Sequence, residues 1–352
     1  MNSELRGDAK LFRYRQRYRA SRIGSFVCAA TLLASFLWLL VSCGGGGASG
    51  GGTTFNACGE TGTDPECHTL ASGGRTRAYL LHVPSNFQPG TGALVLVLHG
   101  LGQTGLEMEQ LSGANAMADQ EGFAIAYPYA LIAQPANIAE WNNFFDEADF
   151  GNNPPDDVGF LSQLVSTLET QIHPDPKKIY FAGVSDGALM SYRVGIERSN
   201  MVAAVGTVIG TLYGFGGNLQ SVPPAIGPVS VLILHGDQDT VVPYCGVTGW
   251  ASQDQTFDYW TGPSANNCSS VDTTAPLCDA QGNVTAVFEK DATGCRGKSE
   301  VRFYRLEGGT HSWYTNPMNV SGQIPYNPDF NATTGITEMD ILWKFFASHP
   351  KP

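Results

Sequence analysis

The most informative run of the sequence is Ile179-Tyr180-Phe181-Ala182-Gly183-Val184-Ser185-Asp186-Gly187-Ala188-Leu189-Met190. An apolar run ends in the pattern G-x-S-x-G, and a helix is predicted to begin directly after it. This order predicts a strand, a tight turn and a helix, with Ser185 at the end of the strand. The two glycines suit such a turn, because the serine backbone is strained and its neighbours lie too close to strand and helix to carry a Cβ atom. Ser185 is therefore a candidate nucleophile, for which the chain must supply a base, an acid and an oxyanion hole.

Predicted strands and helices alternate on both sides of this stretch. Aliphatic runs predict strands at 78–83, 93–98, 123–126, 203–209, 229–234 and 300–306. Apolar residues at helical spacing predict helices at 106–121 and 336–348, and Asp156-Asp157 is predicted to cap another amphipathic helix. Such alternation implies right-handed crossovers between parallel strands. The predicted fold class is α/β, with a mostly parallel central sheet and helices on both faces.

Three stretches depart from the alternation. Residues 131–155 show no clear period and are predicted to form a loop over the sheet, and residues 214–228 are rich in glycine and proline. Residues 245–295 form a long polar insertion that contains four cysteines. Because this insertion follows the carboxyl end of a predicted strand, it is a candidate wall for a pocket.

The first 43 residues are predicted to be a targeting segment. Five arginines between Arg13 and Arg22 precede an uncharged stretch at 23–41, and Leu40-Val41-Ser42-Cys43 resembles a bacterial lipobox, in which Cys43 becomes the lipidated first residue. The alternative is an uncleaved anchor, since about twenty apolar residues span a bilayer. Residues 44–56 are predicted to be a Gly/Ser-rich tether. Residues 57–352 are then the folded domain, exported and held in the cell envelope, with the outer membrane favoured, or released from the cell.

The charge of the mature chain excludes one class of partner. The formal charge is −12, and residues 1–42 contribute seven Lys/Arg against two Asp/Glu, so their removal leaves −17. Nucleic acid binding requires a basic surface. We therefore expect no nucleic acid partner.

Cysteine usage agrees with export. Outside the targeting segment and Cys43 the chain has six cysteines, namely Cys58, Cys67, Cys245, Cys268, Cys278 and Cys295. Six thiols suit three disulfides in an oxidising compartment, and fifteen pairings are possible. Proximity favours Cys58 with Cys67, and then Cys268 with Cys295. Metal binding is disfavoured because no C-x-x-C pair is present and the spacings are long.

Candidates for the acid and the base follow Ser185 in the chain. A serine hydroxyl needs an imidazole to remove its proton and a carboxylate to orient that imidazole. The strand at 229–234 runs into a loop with Asp237 and Asp239. Asp239 is preferred because Asp237 lies nearer the end of the sheet and could accept from local turn amides. His311, which follows two glycines after the last strand, is the candidate base.

The oxyanion hole is predicted to consist of two backbone amides. One belongs to Asp186, the residue after the nucleophile, and the other is assigned to Leu101 in the glycine-containing loop after the strand at 93–98. The alternative for that loop is a simple glycine turn. No cofactor is required by this chemistry.

Five motifs in order resemble a known family. They are Leu98-His99-Gly100, the segment from Asp156 to Leu161, the Gly183–Gly187 pattern with its following helix, the segment from His235 to Tyr244, and the segment from Gly308 to Trp313. From about Arg75 onwards the chain is similar to secreted α/β-hydrolase esterases of the polyhydroxybutyrate depolymerase-like and feruloyl esterase-like kind. The resemblance implies the α/β-hydrolase fold and selects Asp239 as the acid and His311 as the base.

The sequence departs from the family pattern near the nucleophile and the base. Asp186 stands where Ala, Asn or Ser is more usual, and Thr310 and Tyr314 replace the usual glycine and proline around His311. A carboxylate at 186 could tune the site or select against anionic substrates. Trp141 and Trp313 are expected to bind an aryl acyl group or a polyester segment, with the hydrophobic core as the alternative place for either.

The resulting hypothesis is a carboxylic ester hydrolase that works through an acyl-enzyme. The ester substrate, which can be polymeric, is of the feruloyl, aryl or polyhydroxyalkanoate class. The alternatives are an acyltransferase or peptidase that uses the same triad, and a surface lipoprotein that binds without catalysis.

Overall fold

The structure is a computed structural model that describes residues 66–133, 137–143, 153–212, 222–247, 250–272, 276–285, 287, 289–313 and 337–352. All of these belong to one compact unit, Ala57–Pro352. The predicted signal segment, the tether, Cys43 and Cys58 lie outside the described residues. Within the described part of the chain, no helix is both long and apolar enough to cross a membrane.

Ten of the described strands form one sheet. They are β1 Cys67–Ser72, β2 Arg75–His82, β3 Leu94–Leu98, β4 Ala124–Pro128, β7 Ile179–Val184, β8 Ala204–Val208, β9 Ser230–Gly236, β10 Ser270–Val271, β11 Glu289–Thr293 and β12 Val301–Leu306. Their order in the sheet is β1-β2-β4-β3-β7-β8-β9-β12-β11-β10. The central pairings from β4 to β12 are parallel, and the outer strands at both edges are antiparallel. A separate hairpin pairs β5 Leu131–Ala133 with β6 Ile138–Glu140.

The helices cover both faces of this sheet. They are α1 Gly105–Ser112, α2 Ala114–Glu121, α3 Asp157–Gln171, α4 Asp186–Glu197, α5 Gln253–Thr261 and α6 Glu338–Ser348. Alternate residues of each central strand point to opposite faces. On β3, Leu94, Leu96 and Leu98 pack in the core beneath α3, α4 and α5, whereas Val95 and Val97 pack in the core beneath α1, α2 and α6. The predicted α/β class, with the α/β-hydrolase arrangement, is confirmed.

Some predicted elements differ from the structure. The helix predicted at 106–121 is two helices, because Gly113 adopts a left-handed conformation with φ 60° that ends α1. The sheet begins one strand earlier than predicted, at β1, and residues 131–155 contain the β5–β6 hairpin. The predicted cap at Asp156 is confirmed, since its carboxylate accepts a hydrogen bond from the Gly159 amide at 2.7 Å.

The cysteine-containing insertion extends the sheet. It contributes helix α5 and strands β10 and β11 near the sheet edge. A capping box between Ser252 and Gln255 forms the N-terminus of α5. Disulfides join Cys268 to Cys295, as predicted, and Cys245 to Cys278. Cys67 is also disulfide-bonded. Disulfides persist in oxidising compartments, so they agree with export.

Candidate active site

Ser185 lies in a strained turn between β7 and α4. Its φ of 53° and ψ of −116° belong to a region that non-glycine residues rarely adopt. A Cβ atom on Gly183 would overlap the Gly187 carbonyl, and one on Gly187 would lie 2.6 Å from the carbonyl oxygen of His99. Only glycine fits at both positions, as the sequence predicted. The turn therefore presents the Ser185 side chain at the carboxyl end of the sheet.

The structure brings Ser185, His311 and Asp239 together from three loops at the carboxyl ends of β7, β12 and β9. The Nε2 atom of His311 lies 2.8 Å from the Ser185 Oγ, and its Nδ1 atom lies 2.7 Å from the Asp239 Oδ2. A carboxylate can only accept, so Nδ1 carries the proton and Nε2 presents its lone pair to the serine hydroxyl. This is the orientation in which an imidazole can take the hydroxyl proton.

The Asp239 carboxylate is buried, with 5% of the residue exposed, and fully engaged. Its other oxygen accepts from the amides of Val241 and Val242 at 2.8 and 2.9 Å. Burial opposes the charge, but the hydrogen bond and charge of His311 outweigh it, so the pKa of Asp239 lies below its usual value. The carboxylate is therefore ionised at neutral pH, where it can accept from His311.

Asp237, the other predicted candidate for the acid, holds the histidine loop instead. Its Oδ1 accepts from the Gly308 amide at 2.8 Å, and its carboxylate lies 3.7 Å from the Arg305 guanidinium. Asp237 thus ties the loop after β9 to the loop after β12. The amide that it binds lies 71 positions further along the chain, so this contact differs from the local turn amide expected from the sequence.

A second histidine lies behind the Asp239 carboxylate. His235 is fully buried and its Nε2 lies 2.9 Å from the Val242 carbonyl and 3.5 Å from the Asp239 Oδ2. Burial lowers the pKa of His235. The neutral ring can donate from Nε2 while Nδ1 accepts from the Gln253 side-chain Nε2 at 3.1 Å. His235 therefore supports the acid loop and does not reach Ser185.

Residues 99–103, termed here the oxyanion loop, lie against the nucleophile turn. A Cβ atom on Gly100 would be 3.5 Å from the Ser185 Cβ. The amides of Gly100, Gly102 and Gln103 all donate to protein acceptors, whereas the Leu101 amide donates to none of the described residues. The Asp186 amide, at the first position of α4, also lacks an intrahelical acceptor. Both predicted donors are thus available beside Ser185.

Two side chains fix the shape of the oxyanion loop, namely Gln103, which the sequence did not single out, and His99, which was noted only as part of the motif Leu98-His99-Gly100. The Gln103 side chain accepts from the Gly100 amide at 2.8 Å. The His99 Nδ1 donates to the Gly100 carbonyl at 2.8 Å, and its Nε2 accepts from the Ala130 amide at 3.0 Å. Burial lowers the pKa of His99 to about 4, so its ring is neutral. The loop is therefore ordered by side chains of its own residues. The contact between Gln103 and Gly100 is only three positions long, so the sequence could have suggested it.

The two tryptophans lie in the core, which corrects their predicted role as substrate-binding residues. Trp141 is 1% exposed, and its indole Nε1 donates to the His99 carbonyl at 3.0 Å. Trp313 is 6% exposed and packs in the core beneath α6. Burial of a large aromatic ring in the core stabilises the fold more than leaving it on a wall open to water, because more apolar surface is removed from water. Trp141 lies beneath the site and supports it instead of lining it.

The carboxylate of Asp186 points into the same region as Trp141. One oxygen accepts from the Trp141 amide at 2.9 Å and the other accepts from the Asn143 side-chain amide. Burial raises the pKa of Asp186 well above its usual range, and the negative charges of Glu140 and Asp157 add to this effect. No spacing rule in the sequence connects Asn143 with a residue more than forty positions away, so this contact could not be predicted.

Comparison with known proteins gives the family of the chain. Residues 77–222 match the family model described as Esterase PHB depolymerase. The NocK protein of Nocardia uniformis subsp. tsuyamanensis is 30% identical over 301 residues, which cover 76% of this chain and 80% of NocK. The chain belongs to the esterase PHB depolymerase family. Its enzymatic class is that of the carboxylic ester hydrolases.

Other relatives of the family differ in their named substrates. Feruloyl esterase C of Emericella nidulans is 25% identical over 273 residues, which cover 77% of this chain and 83% of that protein. Poly(3-hydroxyalkanoate) depolymerase C of Paucimonas lemoignei is 24% identical over 267 residues, which cover 69% of this chain and 60% of the depolymerase. The family match therefore gives the class of reaction and leaves the acyl group open.

Proposed function

We propose that the protein hydrolyses carboxylic esters through an acyl-enzyme formed on Ser185. The observation that carries this proposal is the continuous hydrogen-bonded chain from Ser185 through His311 to Asp239, with distances of 2.8 and 2.7 Å. These lengths are those of a nucleophile and base that are ready for proton transfer.

The proposed reaction has two halves. Ser185 attacks the ester carbonyl while His311 takes the hydroxyl proton, and His311 then gives this proton to the leaving alcohol. The amides of Leu101 and Asp186 stabilise the negative oxygen of the tetrahedral intermediate. Water attacks the acyl-enzyme in the same way and releases the acid, with Asp239 stabilising the imidazolium in both halves.

The proposed substrates are feruloyl or aryl esters and polyhydroxyalkanoate-type polyesters. Support comes from the named activities of the relatives and from the acidic mature chain, which disfavours dense polyanions.

Product analysis over three substrates tests the proposal. We expect release of p-nitrophenol from p-nitrophenyl acetate, and release of either ferulate from a feruloyl ester or hydroxybutyrate from polyhydroxybutyrate film. Chromatography of the soluble products identifies the acid. Turnover of none of the three esters would contradict the proposed class of substrate, and cleavage of a casein substrate in their place would favour a peptidase.

We also propose that residues 57–352 are the catalytic domain, joined by the tether at 44–56 to a lipid on Cys43. The lipobox-like residues and the disulfides of the folded domain support this organisation. In cells that express the full chain, radiolabelled palmitate is expected to enter the wild-type protein and to be lost from Cys43→Ser. Labelling that persists in Cys43→Ser would contradict the anchor.

A further inference from the structure

The segment 139–143 is hydrogen-bonded to the oxyanion loop. The Gly102 amide donates to the Ala139 carbonyl at 2.7 Å, and the Trp141 indole donates to the His99 carbonyl at 3.0 Å. These bonds flank Leu101 on both sides. The position of the Leu101 amide therefore depends on where segment 139–143 lies.

Asp186 holds the same segment from the side of α4. Its two carboxylate oxygens accept from the Trp141 amide and from the Asn143 side chain, and 8% of the residue is exposed. Both oxygens are engaged by this segment, so the carboxylate faces away from the reacting atoms. One residue thus offers its backbone amide to the site and its side chain to the segment that positions the other amide.

We propose that Asp186 is a positioning residue for ester hydrolysis, which sets the separation of the two oxyanion donors through Trp141 and Asn143. The inference rests on the proposed function, because it assumes that the amides of Leu101 and Asp186 bind the oxyanion. Such donors must lie within a fraction of an ångström of the developing charge, since they stabilise the transition state only when they are already in place. The role requires a side chain that can bond to both partners: Asp has two acceptor oxygens and Asn has an oxygen and an NH₂ group, whereas Ala has no polar atom and Ser has a single hydroxyl.

Other contacts keep the segment folded without Asp186. The Asn142 amide donates to Asp157 at 2.8 Å, and Asp157 forms an ion pair with Arg77 at 2.6 Å. The Asn142 carbonyl accepts from Arg193 at 2.6 Å. Loss of the Asp186 carboxylate should therefore shift the segment and leave it folded, which separates an effect on catalysis from an effect on folding.

The test compares two substitutions of Asp186 by their kcat and KM for p-nitrophenyl acetate. Asp186→Ala is expected to lower kcat by about 10²-fold, the cost of an oxyanion donor that is lost or displaced by about 1 Å, and to leave KM within about threefold. Asp186→Asn is expected to recover most of this loss. The new side-chain oxygen can accept from the Trp141 backbone amide, and the new NH₂ group can donate to the Asn143 side-chain oxygen once the Asn143 amide group has flipped.

Asp254→Ala is the matched control. Asp254 is a partly buried carboxylate that accepts from the amides of Leu277 and Cys278, both at 2.8 Å, in the insertion. Its removal is expected to lower thermal stability and leave kcat unchanged. Asn143→Ala removes the partner of Asp186 and is expected to lower kcat, which keeps the inference testable if Asp186→Ala does not fold.

The outcomes separate this inference from the proposed function. If Ser185→Ala is inactive while Asp186→Ala and Asn143→Ala keep the wild-type kcat, the positioning role is overturned and the proposed function stands. A kcat for Asp186→Asn as low as that of Asp186→Ala would overturn positioning by hydrogen bonds. Wild-type rates in Ser185→Ala would overturn both.

Discussion

Asp239→Asn is expected to lower kcat for p-nitrophenyl acetate by about 10⁴-fold, the loss that accompanies a wrong imidazole tautomer. The substituted amide can still accept from the amides of Val241 and Val242 through its oxygen. Its NH₂ group then faces His311 Nδ1, which must become an acceptor. The ring proton moves to Nε2, where it points at the Ser185 hydroxyl and prevents proton abstraction.

Asp237→Asn is the matched control for this substitution. The new side chain keeps an oxygen for the Gly308 amide, which is the bond that ties the two loops together. We expect kcat to change by less than about tenfold, because no group that touches His311 is altered. Initial rates of both variants, measured at one substrate concentration well above KM, compare their kcat values. A larger loss in Asp237→Asn than in Asp239→Asn would show that the acid is assigned to the wrong carboxylate.

Much of the site was predictable because its signals are local. The strand, turn and helix around Ser185 follow from twelve consecutive residues, and the two glycines are required by backbone contacts within that turn. Asp239 and His311 could be selected because each lies in the loop directly after a predicted strand of a parallel sheet. Loops at the carboxyl ends of parallel strands meet at one edge, so order in the chain predicts proximity in space.

The parts that could not be predicted depend on long-range contacts. The sequence around Trp141 does not distinguish a buried indole from one that binds substrate. In the fold this ring packs in the core and bonds to His99, more than forty positions earlier. Strands β10 and β11 could not be predicted, because β10 has only two residues and β11 is largely polar, so neither shows the continuous apolar run of a central strand such as β3. Asp186 was recognised as unusual, but its partners were visible only after the chain had folded.

The proposed roles of His311, Asp239 and the oxyanion amides all depend on Ser185 being the nucleophile. Ser185→Ala is expected to lower kcat by on the order of 10⁵- to 10⁶-fold, which leaves only the rate that binding and the oxyanion amides supply. The substitution keeps the Cβ atom of the turn and removes only the oxygen bonded to His311. The thermal midpoint of unfolding should therefore stay close to that of the wild type.

Ser191→Ala is the matched control, since Ser191 is a buried serine further along α4 whose hydroxyl donates to the Gly187 carbonyl at 2.8 Å. The most direct test is the rate of p-nitrophenol release from p-nitrophenyl acetate by the wild type, Ser185→Ala and Ser191→Ala, each shown to be folded. We expect turnover by the wild type and Ser191→Ala and none above background by Ser185→Ala; equal rates for the wild type and Ser185→Ala would show that Ser185 is not the nucleophile.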